Sequence, residues 1–201
     1  MTTKTTTMTT TMTVPQAIAQ NLVRGRAAAN VLLVVGATLF IALAAQIAIP
    51  LPFTPVPMTM QPFAVILVGA ALGATRGAAT AMLYLLEGFG GLPVFAQGHG
   101  GAIWAVAPTA GFLFSYPLAA WVAGRFSELN WGATTLRAIA GMLAALAIIY
   151  AGGWSWLATL TSPGAAFAAG VMPFVAADIV KVAIGAALLP SAQRLVGSLS
   201  R

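Results

Sequence analysis

The chain has 201 residues, of which 60% are hydrophobic and only 6% charged, with a mean hydropathy of +0.94. Soluble domains are usually about 25% charged, so this composition excludes an ordinary soluble fold and defines an integral membrane protein. The formal net charge of +6 comes from nine scattered Lys and Arg residues. They form no patch, so nucleic acid is not an expected partner, and the absence of cysteine excludes disulfides and thiolate metal sites.

The first thirteen residues, MTTKTTTMTTTMT, are a threonine-rich low-complexity tail with no apolar core or small-residue cleavage site directly after it, so they do not read as a signal peptide. Residues 1–29 are expected to be a disordered cytoplasmic tail, residues 30–190 a membrane domain, and residues 191–201 a second cytoplasmic tail. Span one is NVLLVVGATLFIALAAQIAIP, residues 30–50. It ends in PLPFTPVPMTMQP, whose five prolines rule out continuous helix and predict an ordered loop. PFAVILVGAALG, residues 62–73, is short for a full crossing, which needs roughly 20 residues as helix. With the glycine-interrupted segment that follows, it is expected to form a helical hairpin turning at ATRG, residues 74–77. Residues 91–111 read mostly as loop, residues 109–124 as span four and residues 131–152 as span five. A Trp- and Pro-containing loop, GGWSWLATLTSPG, leads to span six at 171–189. The fold class is therefore all-α, with six transmembrane helices.

Six spans place both termini on one side. With that side cytoplasmic, Lys4, Arg24, Arg26, Arg76, Arg125, Arg137, Arg194 and Arg201 all fall inside and the three outer loops hold no basic residue, as the positive-inside rule requires. Lys181 is the exception. It lies within span six, three residues from Asp178 in FVAADIVKVAIG, so the two side chains share a helix face. Each charge at mid-membrane costs about 2.5–3.5 kcal/mol on insertion scales, so the pair needs a partner or a purpose. It reads as a structural ion pair, as a site for a polar ligand with an anionic end, or as part of a proton relay for which Glu87 and His99 are the other titratable candidates. The Gly-, Pro- and aromatic-rich outer loops above it favour a lidded ligand pocket. Trp104, Trp154 and Trp156 read as interfacial anchors.

Other chemistries lack their motifs. Neither lysine stands in a phosphate-binding G-x-x-x-x-G-K-[ST] context, no nucleophile-elbow serine accompanies His99 and Asp178, and a sole histidine with few carboxylates predicts no metal site. No catalytic residue is assigned. Ala44 and Ala48 form a small-xxx-small pair on span one, which suits close internal packing as well as a partner helix.

PLPFTPVPMTMQPFAVILVGAALG, YLLEGFGGLPVFAQGHGG, APTAGFLFSYPLAA and MPFVAADIVKVAIG occur in this order, and together they resemble the BioY family, the biotin-binding S components of energy-coupling-factor (ECF) transporters. The resemblance covers roughly residues 30–189. It implies an S-component fold in the bacterial cytoplasmic (inner) membrane, a substrate site near the outer face, and biotin as transported substrate with no cofactor. The implied partners are a transmembrane coupling protein and two cytoplasmic ATPases, with a homo-oligomer left open. A self-sufficient carrier working without ATPases is the alternative. The family's polar pair falls on Asp178 and Lys181, and Gln97, Gly98 and Thr109 fall near the ligand, with Glu87 as a further candidate. Two departures stand out: a Gly-Pro-Thr-Gly-Gly-Tyr pattern reads APTAGF at residues 107–112, and Glu87 occupies a position that is more often apolar.

Overall fold

The computed structural model describes residues 14–129 and 135–199. The threonine-rich tail, the expected start of span five at Trp131, and Arg201 lie outside the described residues. Among those described, the elements in chain order are α1 (Val14–Gln46), a two-residue antiparallel pairing of Ala48–Ile49 with Met58–Thr59, α2 (Gln61–Leu72), α3 (Ala74–Phe89), α4 (Ala110–Glu128), α5 (Thr135–Leu160), α6 (Pro163–Gly170) and α7 (Val175–Leu199). Among the described residues, three stretches are long and apolar enough to cross a bilayer on their own: Ala28–Gln46, Leu136–Leu160 and Val175–Val196.

Helix α4 occupies the middle of the bundle, packed most extensively against α5, α3 and α2. Small residues make this possible. A Cβ on Gly69 of α2 would collide with the Ala120 backbone of α4, one on Gly77 of α3 with Gly69, and one on Gly124 of α4 with the Gly73–Ala74 backbone. Without a hydrophobic drive between helices in lipid, such close backbone approach supplies the packing that holds a bundle together. Tyr84, Ile41, Ile149 and Leu157 are among the fully buried side chains of the resulting core.

Four expectations about element boundaries are corrected. Helix α1 starts at Val14, so residues 14–29 are helical rather than disordered. The stretch QAIAQNLVRGRAAAN carries Ala, Gln, Leu and Arg with only one glycine, and good helix formers extend a helix once its apolar part is anchored. The hairpin turns at Gly73 (φ 86°), not at ATRG, which forms the first turn of α3; glycine is the residue for which this left-handed φ is unstrained. Helix α5 runs through GGWSW to Leu160 instead of ending at Gly152. A Gly-Gly pair weakens an isolated helix, but here Gly152 faces Gly111 and Ser115 while Gly153 lies against the Phe112 ring, so the pair seats α4 against α5. The remainder of that expected loop contains α6, started by Ser162, whose side chain accepts from the Ala165 N–H, with Pro163 in its first turn.

Candidate functional site

At the end of the bundle where α1, α3 and α5 finish, the helices enclose a cavity of about 180 Å³. Its roof is the Pro-rich loop, closed at its base by the Ala48–Thr59 pairing and tied to α6 by the Thr54 hydroxyl, which donates to the Ala169 carbonyl at 2.8 Å. One wall is the first two turns of α7, which carry the two charges. Asp178 is 5% exposed. Its Oδ1 accepts from Lys181 Nζ at 2.8 Å, and its Oδ2 accepts from the Tyr150 hydroxyl of α5 at 2.6 Å. Lys181 Nζ also donates to the Thr59 carbonyl at 2.8 Å. Each charge is thus paired and additionally hydrogen-bonded, as burial demands. The ammonium retains one unused N–H and the carboxylate oxygens retain free lone pairs, so the pair can still take a ligand.

Gln97 lines the cavity from the loop after α3 and adopts a left-handed conformation at φ 62°, uncommon for a residue with a Cβ. The loop is held there by Gln46 at the end of α1. Gln46 Nε2 donates to the Phe95 carbonyl at 3.1 Å, and its Oε1 accepts from the Gly98 N–H at 2.8 Å, so one amide brackets the unusual residue from both sides. His99 and Trp104 also line the cavity, their rings 4.6 Å apart. Thr109, immediately before α4, lines it as well, and Trp156 Nε1 donates to the Ala107 carbonyl at 2.9 Å to support that approach.

Of the residues singled out from sequence, Asp178, Lys181, Gln97 and Thr109 come together around one space. Gly98 stands one residue away and acts through its backbone on Gln46. Glu87 is placed elsewhere: its Oε1 accepts from Thr38 of α1 at 3.1 Å, across the α1–α3 contact and not among the cavity-lining residues. Trp104, read as an interfacial anchor, lines the cavity instead. Sequence reasoning missed Tyr150, Tyr116, Phe112 and Gln61, all of which line it. Gln61 Nε2 donates to the Tyr84 hydroxyl at 2.6 Å, and that hydroxyl donates to the Val94 carbonyl at 2.8 Å. The chain has three tyrosines: Tyr116 and Tyr150 line the cavity, and Tyr84 stands behind Gln61. A rare phenol inside an aliphatic helix was the available signal. Among the described residues no group of acidic, His or Cys side chains could hold a metal ion.

This arrangement of helices is similar to that of a solved S-component. A solved structure of the S-component for biotin from an ECF-type ABC transporter superposes with a TM-score of 0.71 at 22% identity, over 92% of this chain and 94% of that one. The model of the BioY family matches residues 8–198, and the chain belongs to that family. Similar curated proteins include the probable biotin transporter BioY of Pyrococcus horikoshii, 37% identical over 163 residues, which are 80% of this chain and 93% of the relative. The biotin transporter BioY of Rhizobium etli is 37% identical over 160 residues, 76% of this chain and 86% of the relative. That of Rhodobacter capsulatus is 39% identical over 160 residues, 74% and 84% of the two chains. The family and these relatives are transporters, not enzymes.

Proposed function

We propose that this chain is the biotin-capturing membrane subunit of an ECF-type transporter, energised by separate ATPases. The observation that carries the reading is the buried, doubly hydrogen-bonded Asp178–Lys181 pair facing a cavity roofed by loops. Biotin offers a cyclic urea with two N–H donors and one carbonyl, an apolar thiophane ring and a valerate carboxylate. Asp178 accepts from a urea N–H, Lys181 supplies positive charge towards an oxygen, and Gln97 and Thr109 close over the ligand from the loops. Phe112, Trp104 and Phe174 cover its apolar part. Burying so polar a ligand is offset only when most of its groups find partners, and this wall is rich in them.

In this reading α1, α2, α3, α4, α5 and α7 are the six spans, with both termini in the bacterial cytoplasm. Helix α2, of 12 residues, spans roughly 18 Å and crosses only because the neighbouring helices bury it. Arg76 at the start of α3, Arg125 at the end of α4, Arg137 at the start of α5 and Arg194 near the end of α7 all lie at the end opposite the cavity, which supports an outward-facing cavity. The coupling protein and the ATPases supply the energy that a chain without a phosphate-binding loop lacks.

Calorimetric titration of the purified chain with biotin tests the proposal. Saturable heat without ATP, together with a change in tryptophan fluorescence from Trp104, is the expected result; neither signal at millimolar biotin would refute it. The orientation is tested separately on the naturally cysteine-free background. Ser162→Cys should react with an impermeant thiol reagent from outside and Leu129→Cys only from inside, and the opposite pattern would reverse the topology.

A further inference from the structure

The polar groups around the cavity differ in how far the protein itself uses them. Both carboxylate oxygens of Asp178 accept hydrogen bonds, and the Tyr84 hydroxyl is engaged by Gln61 and Val94. Tyr116 of α4 is different. It is 3% exposed and lines the cavity, yet its hydroxyl has no hydrogen-bond partner among the described residues. Among the described residues, every side-chain nitrogen or oxygen sealed away from open space does have a partner. The Tyr116 oxygen is therefore one that still reaches open space, and the space its side chain borders is this cavity. Buried hydroxyls left unpaired are costly and uncommon, and a phenylalanine would pack the same ring without that cost.

We infer that Tyr116 is a ligand-contacting residue whose hydroxyl donates a hydrogen bond to the carbonyl oxygen of a cyclic urea. The inference rests on the biotin reading and extends it to a residue and an atom. Complementarity selects the donor role. The two urea N–H groups need acceptors, and two stand on this wall: the Asp178 carboxylate and the Gln61 amide oxygen, left over because the Gln61 amide nitrogen donates to Tyr84. The urea oxygen needs a donor. Lys181 already spends two N–H groups on Asp178 and the Thr59 carbonyl, and its remaining charge suits a carboxylate. Gln97, His99, Trp104 and Thr109 bring further donors to the cavity from the loops, whereas the Tyr116 O–H is a buried neutral donor on the helical wall that no described protein group uses.

The test is Tyr116→Phe in the full chain, purified in detergent and titrated with biotin and with 2-thiobiotin, whose thiocarbonyl sulfur is a poor acceptor. Wild-type biotin binding is measured first; its absence would overturn the functional proposal and this inference with it. Given that binding, Tyr116→Phe is expected to weaken biotin about ten- to a hundredfold. The thio analogue should change by less than about threefold, and the ligand-free unfolding temperature should hold or rise. Parental affinity for biotin in the variant would overturn the inference and show that the hydroxyl merely meets water. Equal losses for both ligands with a lowered unfolding temperature would also overturn it, by assigning Tyr116 a packing role.

Discussion

Where α1, α3 and α5 finish, the helices stand apart around the cavity, and side chains from distant parts of the chain hold it open through hydrogen bonds. Where α2 turns into α3, the helices touch backbone to backbone. There Gly124 abuts Gly73 and Ala74, Glu128 Oε1 accepts from the Ala74 N–H at 2.8 Å and Oε2 from Arg125 at 3.0 Å. Gln193 of α7 joins them by donating to the Ser127 hydroxyl at 2.7 Å. One end spends stability on buried polar groups; the other gains it from close contact. The difference teaches that substitutions at the two ends should separate binding from folding.

The largest effect is expected at the charged pair. Lys181→Met alone leaves Asp178 with only Tyr150 and should lower the unfolding temperature, whereas adding Asp178→Asn should largely restore it. The double variant should nevertheless bind biotin about 30- to several-thousand-fold more weakly, the consequence of losing about 2–5 kcal/mol in charge-assisted contact. Calorimetry beside thermal unfolding in detergent reads both quantities. A double variant with parental affinity would erase the distinction between the two ends.

Gly124→Ala should do the reverse. Its Cβ meets backbone rather than a flexible side chain, so α4 must move away from α3 at a cost of about 1–3 kcal/mol. The unfolding temperature should fall while the affinity of the folded fraction stays within about threefold of the parent, a tolerance set by the coupling of distant sites. A matching loss of affinity would mean that the two ends are rigidly coupled.

Gln46→Ala sharpens the comparison within the cavity end. Without the bracket around Gln97 the loop should open more often, raising the biotin off-rate by about three- to tenfold, the worth of one or two exposed hydrogen bonds. Gln46→Glu keeps the acceptor for Gly98 but loses the donor to Phe95, and should fall in between. Stopped-flow dissociation from preloaded protein measures both, and unchanged off-rates would remove the latch role.

The smallest effect concerns Glu128. The Ala74 N–H, and after it Arg125, hold its carboxyl below the ordinary range. A carboxyl lowered by folding stabilises the fold while ionised in both states, above its unfolded value of about 4.3, and that contribution disappears as pH falls through the lower folded value. The side chain is 42% exposed, so the contribution should stay below about 1 kcal/mol. Thermal unfolding followed from pH 6 downward should show a shallower acid decline for Glu128→Gln than for the parent. Parallel curves would show that this tie carries no stability.

Sequence alone determined the class of protein. Long apolar runs, the scarcity of charge and four ordered motifs made the membrane setting, the helical fold and the family legible, because bilayer thickness and desolvation act on composition over many residues at once. The same logic exposed Asp178 and Lys181, since two charges in an aliphatic helix are costly wherever that helix packs. Tertiary structure decided what no local pattern encodes. It brought Tyr150 to Asp178 and the Thr59 carbonyl to Lys181, directed Glu87 to Thr38 instead of the cavity, and turned Gly152–Gly153 from an expected loop into a helical seat for α4. It also placed Tyr116 at the cavity with no hydrogen-bond partner for its hydroxyl among the described residues. Hydrogen-bond partners and glycine's tolerance of close approach depend on which backbone lies across the interface, and packing alone settles that.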